Sequence, residues 1–244
     1  MGRLEGQIAL VTGASGGIGS AIAKALAGQG CTVALHYSSN ADSAKSLAAK
    51  IEALGGRARI FKADLLAHGA PRKLIAACAK TFGRLDILVN NAGAVLGGDH
   101  FLDLSENAWT KTLRLNAEAP FFLTREAFRV MKAGGRVINI SSVAAQFGGS
   151  ARSIHYGAAK AALEALTRGF AREGAAKGIL VNAIRAGVID SPFHGKFRKD
   201  MAERIALIPL KRMGRPEDVA ALVLHLAVDG GFITGQVLSV TGGE

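Results

Sequence analysis

Tyr156 and Lys160 stand four residues apart in the run Tyr156-Gly157-Ala158-Ala159-Lys160. On a helix, that spacing puts two side chains on one face with Cβ atoms ~5–6 Å apart. The pairing has a chemical use. A free phenol ionises near pH ~10, so a tyrosine that trades protons near neutrality needs its phenolate stabilised by about 3 pH units, or ~4 kcal/mol. An ammonium at ~4–5 Å contributes about that much at an effective dielectric of ~20. A tyrosine so placed would be an acid–base group matched to its working pH. Ser142, after the aliphatic run Arg136 to Ile140, and Asn116, in Leu115-Asn116-Ala117, are the polar residues that accompany it. Each of the four also has a plain reading: Ser142 as a helix cap, Asn116 as a polar helix residue, Tyr156 and Lys160 as surface helix positions.

A second constellation lies near the start. Thr12-Gly13-Ala14-Ser15-Gly16-Gly17-Ile18-Gly19 follows the apolar run Ile8-Ala9-Leu10-Val11 and leads into a helical stretch, Ser20 to Ala27. Glycines in such a turn permit positive φ and let the backbone approach a pyrophosphate, while the following helix offers unpaired N–H groups to the anion. Strand, glycine turn and helix in that order meet the context a dinucleotide-binding motif requires.

These residues need a frame. Short aliphatic runs alternate with longer Ala-rich segments of helical period, the pattern of repeated β-α units. Strands are predicted at Ile8 to Thr12, Thr32 to His36, Ala58 to Lys62, Ile87 to Asn90, Arg136 to Ile140, Leu180 to Ile184 and Val237 to Val240. Continuous apolar character suits strands covered on both faces. The expected fold is therefore α/β: a single doubly wound, Rossmann-type domain over 1–244, with a seven-stranded, mainly parallel sheet and helices on both faces. Right-handed crossovers bring the strand C-termini to one edge, where ligands bind. From Val188 to Arg212 the alternation breaks, with Pro192, Gly195 and Pro209 around a short amphipathic piece, Lys199 to Leu207; this segment is placed to be a substrate lid, with a plain surface excursion as the alternative.

The spacing T-G-x-x-x-G-x-G differs from an ordinary Rossmann G-x-G-x-x-G and resembles the short-chain dehydrogenase/reductase family. Asn90-Asn91-Ala92-Gly93 is similar to that family's N-N-A-G, and the resemblance extends over essentially the whole chain. It implies hydride transfer between a nicotinamide and a carbonyl or secondary alcohol, with Tyr156 as general acid/base. The oxidised nicotinamide would add a second positive charge beside the phenol. Ser142 would hold the substrate oxygen, and Asn116 would position a water linking Lys160 to solvent. Gly13, Ser15, Gly17, Ile18 and Gly19 would hold the pyrophosphate. The N-N-A-G segment, with Asn90, Ala92 and Gly93, would support the sheet and border the adenosine half, and Asp64, followed by Leu65, would contact the adenine. Tyr156 and Lys160 would also touch the cofactor. Ala186-Gly187-Val188-Ile189-Asp190-Ser191 resembles the family's P-G-x-x-x-T, making Gly187, Ile189 and Ser191 carboxamide contacts; alanine in place of proline relaxes the restriction on φ at 186.

An acid after the second strand would bind the ribose of NAD and repel the 2′-phosphate of NADP. Here the chain reads His36-Tyr37-Ser38-Ser39-Asn40, with no acid, so Tyr37, Ser38 and Ser39 are candidate contacts and NADP is expected over NAD. Against this, Gly16 stands where many NADP-using relatives carry arginine. The layout most resembles 3-oxoacyl-acyl-carrier-protein reductases, and a formal charge of +11 suits an acidic carrier. A sugar or small-ketone reductase is the alternative, and a non-catalytic cofactor-sensing or scaffold protein the alternative from another class.

Composition excludes other classes. The 30 Lys and Arg are spread along the chain, without the basic block or aromatic-interleaved stripe of a nucleic-acid groove. No secretory pattern opens the sequence and no run is apolar enough for a membrane span, so a cytoplasmic protein is expected. Cys31 and Cys78 lack metal-ligand or redox spacing and read as small buried hydrophobes; no metal site is expected. The resemblance implies a homotetramer built through helices spanning Glu106 to Met131 and Ser153 to Ala175 and the last strand. Ala158, Ala161, Ala162, Ala165 and Leu166 would serve that contact or the core.

Overall fold

A computed structural model describes residues 2–191 and 201–244. Seven strands, β1 (Ile8–Val11), β2 (Thr32–Tyr37), β3 (Arg57–Lys62), β4 (Ile87–Asn90), β5 (Arg136–Ser142), β6 (Leu180–Ala186) and β7 (Val237–Val240), form one sheet in the order β3-β2-β1-β4-β5-β6-β7. Every neighbouring pair is parallel, so the sheet is parallel throughout. β1 pairs with β2 on one side and β4 on the other, and chain progression reverses there. The crevice beyond that reversal is where ligands of such sheets bind.

Period-two alternation explains why β1 is apolar at every position. Ala9 and Val11 join one core layer, with Ile22 and Leu26 of α1 (Gly17–Ala27) and Val219 and Val223 of α9 (Pro216–Val228). Ile8 and Leu10 point into the opposite layer, with Leu74 and Cys78 of α3 (Ala70–Phe82) and Leu123 of α5 (Ala119–Val130). Helices on both faces leave no strand position for a polar residue without a buried partner. The two cysteines are buried in these layers as expected, their thiols pushed up to about 12 by burial.

The remaining helices are α2 (Ala41–Ala53), α4 (Glu106–Leu113), α6 (Ala144–Phe147), α7 (Ile154–Ala175) and α8 (Met201–Leu207). Between α4 and α5 the chain winds through one π-helical turn, Arg114–Glu118. Of the expected lid, α8 and its C-terminal flank are described; Pro192, Gly195 and Lys199 lie outside the described residues. Among the described residues no helix is long and apolar enough to cross a membrane.

Candidate active site

A cavity of about 830 Å³ opens at the C-terminal edge of the sheet between β1, β4, β5 and β6. Its floor at β1 is the glycine turn. Gly13 has φ +63, and a Cβ built there would lie 3.0 Å from the Ala92 backbone. At Gly19 an added Cβ would lie 2.4 Å from the Gly13 carbonyl oxygen and 2.6 Å from the Asn91 side-chain nitrogen. Gly16 is the N-cap of α1 and makes no side-chain cap bond, and Gly17, Ile18 and Gly19 of the helix's first turn line the cavity. The turn is therefore a cradle that side chains would fill, shaped for an anionic group on a helix N-terminus.

Three residues without an assigned role in the sequence reading hold this cradle. Thr12 donates its hydroxyl to the Val89 carbonyl at 3.2 Å and accepts from the N–H groups of Asn91 and Ala92 at 2.9 and 3.0 Å. Asn91 donates from Nδ2 to the Thr12 and Gly13 carbonyls at 2.9 and 3.2 Å. His36 accepts the Gly13 N–H on Nδ1 at 3.1 Å, with Nε2 3.1 Å from the Ala63 carbonyl oxygen, so the neutral ring with the proton on Nε2 satisfies both contacts. Burial holds its pKa below the ordinary histidine value, opposed by the Ala63 contact. The signal available in the sequence was polarity at strand ends facing backbone, which no spacing rule distinguishes from a cap.

The reacting corner is assembled from β5, α7 and the π turn. Tyr156, buried at the cavity wall, hydrogen-bonds Ser142 at the end of β5, and the Ala144 N–H donates to the Ser142 hydroxyl at 3.2 Å. Lys160 lies on the same face of α7, its Nζ 5.6 Å from the Tyr156 ring centroid and donating to the Ile140 carbonyl at 2.7 Å. Asn116 is fully buried inside the π turn, an irregularity frequent at functional sites. Its Nδ2 donates to the Ala94 and Thr112 carbonyls at 2.8 and 2.9 Å. Asn116 Oδ1 has no hydrogen-bond partner among the described residues. A Cβ added to Gly93 would lie 2.6 Å from that oxygen and 3.2 Å from Lys160 Nζ, so the two groups face one small space.

Burial dominates the electrostatics of the protein's own groups here. Burial pushes Tyr156 up to about 12, the Ser142 bond acting the other way, and pushes Lys160 down to about 8. The ammonium is directed at a carbonyl rather than at the phenol oxygen, so desolvation outweighs it and the tyrosine is held protonated. The corner is a buried acid next to a labile cation.

Of the other predicted residues, Gly17, Ile18, Ala92, Gly187, Ile189 and Ser191 line the same cavity. Asn90 does not. It is buried within the sheet layers, donating to Asn139 Oδ1 at 2.8 Å and Thr124 Oγ1 at 3.2 Å, and so supports β4 and β5. Leu65 packs into the α3 core layer, and Asp64 accepts the Leu66 N–H at 3.0 Å. Ser15, Tyr37, Ser38 and Ser39 lie outside the cavity wall, with Ser38 and Ser39 exposed beyond β2. Ala186 is not loosened by the missing proline. It pairs with Ser142 on one side and Val240 on the other, its carbonyl accepts the Val143 N–H at 2.9 Å, and the next N–H, of Gly187, donates to Val240 at 3.0 Å. Sheet pairing supplies the restraint that a fixed φ would have given.

Over residues 13–244 the chain matches the family model described as enoyl-(acyl carrier protein) reductase. It is 37% identical to the 3-oxoacyl-[acyl-carrier-protein] reductase of Synechocystis, covering 100% of this chain and 98% of that one. Versicolorin reductase 1 of Aspergillus parasiticus is 36% identical over 99% of this chain and 97% of its own length. In three dimensions the chain is similar to a short chain dehydrogenase of Burkholderia cenocepacia solved in complex with NADP, with a TM-score of 0.93, 38% identity and coverage of 99% and 98%.

Proposed function

The chain belongs to the short-chain dehydrogenase/reductase family, and from that membership we propose that it reduces a ketone with NADPH, Tyr156 acting as the proton donor. The observation that carries this reading is a buried, protonated phenol bonded to Ser142 on the cavity wall, with Lys160 behind it. A bound nicotinamide would supply the hydride. Ser142 and Tyr156 orient the carbonyl oxygen, and as charge grows on that oxygen Tyr156 gives it a proton within hydrogen-bond reach. The resulting phenolate is stabilised by the Lys160 ammonium. Asn116 Oδ1 is the acceptor for the water through which Lys160 recovers a proton from solvent.

The turn Gly13 to Gly19, with Ser15, Gly17 and Ile18, would hold the pyrophosphate, and the exposed Ser38 and Ser39, beside Tyr37, the 2′-phosphate. Asp64 and Leu65, with the Asn90 to Gly93 strand end, would border the adenosine half, and Gly187, Ile189 and Ser191 the carboxamide. The cavity wall includes the apolar Val95, Phe147, Val188, Met201 and Leu207, with Arg152, Arg204 and Glu244 as its charged members besides Lys160. That lining and the +11 charge favour a 3-oxoacyl thioester on an acidic carrier over a sugar. We also infer a homotetramer, supported by Ala158, Ala161 and Ala165 facing outward on α7, to be checked by sedimentation.

A spectrophotometric panel of 3-oxoacyl thioesters, small ketones and sugars with NADPH and NADH tests the reading. Tyr156→Phe should lose ~10²–10⁴ of turnover while binding NADPH within about twofold of the parent, since burial and the glycine turn are untouched. Turnover surviving in Tyr156→Phe would refute the assignment. A tenfold preference for NADH would overturn the cofactor.

A further inference from the structure

One turn below Lys160, on the same face of α7, lies Glu164, buried and absent from the chemistry above. It accepts the Ser141 hydroxyl on Oε1 at 2.8 Å. Arg185 grips it side-on, Nε to Oε1 at 3.1 Å and Nη2 to Oε2 at 2.7 Å, and uses Nη1 to donate to Gln146 Oε1 at 2.7 Å. Ser141 and Arg185 are themselves register partners across β5 and β6. Four segments thus meet on one carboxylate and one guanidinium.

Each anchor adjoins a part of the site. Ser141 precedes Ser142. Arg185 precedes Ala186-Gly187. Gln146 sits in α6 beside Phe147 of the cavity wall, and Glu164 follows Lys160 by four residues. The rest of the buried face of α7 is built mainly of small residues, Gly157, Ala159, Ala171 and Gly174, with Leu163 as its large apolar knob, Phe170 packed partly against the core, His155 3.1 Å from the Leu96 carbonyl and Thr167 accepting from Asn139 at 2.9 Å. Small residues interdigitate little, so the register of such a face leans on its polar contacts, of which the Glu164–Arg185 pair joins the most segments. A slip of one residue would move Tyr156 by ~1.5 Å along the axis and ~100° around it. A buried ion pair is a poor source of stability compared with apolar packing, but its bidentate geometry is directional and can specify one arrangement.

We propose that Glu164 and Arg185 are positioning residues that set the register of α7 on β5 and β6, and thereby the placement of the Tyr156 hydroxyl against Ser142. The proposal rests on the reductase reading above, and Tyr156→Phe run in the same assay separates the two: activity in that variant sinks the reading itself, whereas its loss leaves the clamp to be judged alone.

The pair also predicts a pH signature. On the buried face of α7 the ionisable groups are His155, Tyr156, Lys160 and Glu164, with Arg168, Arg172 and Glu173 elsewhere on the helix; β6 contributes Arg185, and β5 and α6 contribute only the neutral Ser141 and Gln146 to this cluster. With the carboxylate and guanidinium paired, neither acts strongly on Lys160. Arg185→Gln leaves an uncompensated carboxylate one turn from the ammonium and should move the alkaline limb of kcat to higher pH. Glu164→Gln leaves an uncompensated guanidinium and should move it lower. Both should lower kcat about 10–100-fold, as expected for misplacement by an ångström, with KM for NADPH changed less than threefold. Glu164→Leu combined with Arg185→Met restores an apolar contact; it should keep the melting temperature within a few degrees yet remain at least tenfold slow. Gln146→Ala, at the exposed end, should fold normally and lose about twofold to fivefold in kcat. If the apolar double variant turns over within twofold of the parent, or if the two single variants shift the limb in the same direction, the clamp is packing only. Failure of the single variants and the double variant alike to fold would make the pair a folding element and overturn the proposal as well.

Discussion

The two ends of the cavity are built on opposite plans. At β1 the surface offered to a ligand is backbone: Gly13 and Gly19 have no room for a methyl group, and the polar side chains of Thr12, Asn91 and His36 are turned inward to hold that backbone. At β5 and α7 the surface is side chain. Ser142, Tyr156 and Lys160 present their functional atoms to the cavity, and the backbone behind them is tied into the sheet and helix. The first region excludes atoms and the second exposes them. Adding a carbon should therefore damage one end and removing a heteroatom the other, each with its own kinetic signature.

The largest effect should come from the reacting end. Ser142→Ala deletes a hydroxyl bonded to Tyr156, and loss of one such donor costs ~10²–10³ in kcat. Dissociation of NADPH, followed by fluorescence titration, should be unaltered, and a matching loss of affinity would show that the two ends are not separable. Gly19→Ala reverses the pattern. Its Cβ meets two fixed groups at under 3 Å, an overpacking worth about 1–3 kcal/mol, or roughly 10–100-fold in Kd for NADPH. At saturating cofactor kcat should recover. A kcat that stays low would mean that strain at the turn reaches the reacting corner.

Charge separates the two regions in the same way. His36 is neutral in its two contacts and its pKa is held below the usual value, so the unfolded chain binds a proton first as the solution is acidified. Stability should therefore fall as the pH drops through about 6.5 toward the folded value, by up to ~1.4 kcal/mol for each unit of depression. The carboxylates whose values are lowered, Glu126, Asp218 and Asp229, act only nearer pH 4, where protonation of the unfolded chain begins. Melting temperatures between pH 7.5 and 5.5 should slope downward in the parent and be flatter in His36→Gln, whose amide does not titrate. Equal slopes would assign the loss to other groups. At the other end Lys160, pushed down to about 8, acts in the alkaline range: the unfolded chain holds its proton to higher pH, and stability should rise between pH 8 and 10.5 until Tyr156 opposes it.

What could be read before any coordinates follows the same division. Glycine spacing and the Tyr156-Lys160 interval are local facts, and local geometry carries them into the fold with strand limits moved by at most two residues. The inward-facing supports are not local. Nothing near His36 in sequence says that its ring bridges residues 13 and 63, and Glu164 meets Arg185 only because β5, β6 and α7 stack in one order. Asn90 shows which part of a motif's meaning the fold carries: the motif implied sheet support as well as a border to the adenosine half, and the side chain, bonded to Asn139 and Thr124, supplies the support. For the phenol, helical spacing counts the neighbouring cation and not the water that burial removes, and burial raises its pKa.

The smallest predicted effect sharpens the comparison most, because it falls inside the glycine turn itself. Gly16 is exposed, has φ −90, and a Cβ added there would touch only the Gly13 carbonyl oxygen, at an ordinary 3.5 Å. Three residues away the same methyl at Gly19 collides. If the cradle works by excluding atoms only where the backbone must close on itself, Gly16→Ala should change Kd for NADPH less than twofold, and Gly16→Arg should also fold. The arginine side chain, starting from an open position at the start of α1, would add a cation at the cofactor end and raise the preference for NADPH over NADH several-fold, as charge-assisted contacts to phosphate do. Parallel titrations of both variants with the two cofactors decide it: weakened binding of NADPH and NADH alike in Gly16→Ala would mean that the whole turn depends on flexibility rather than on two crowded points.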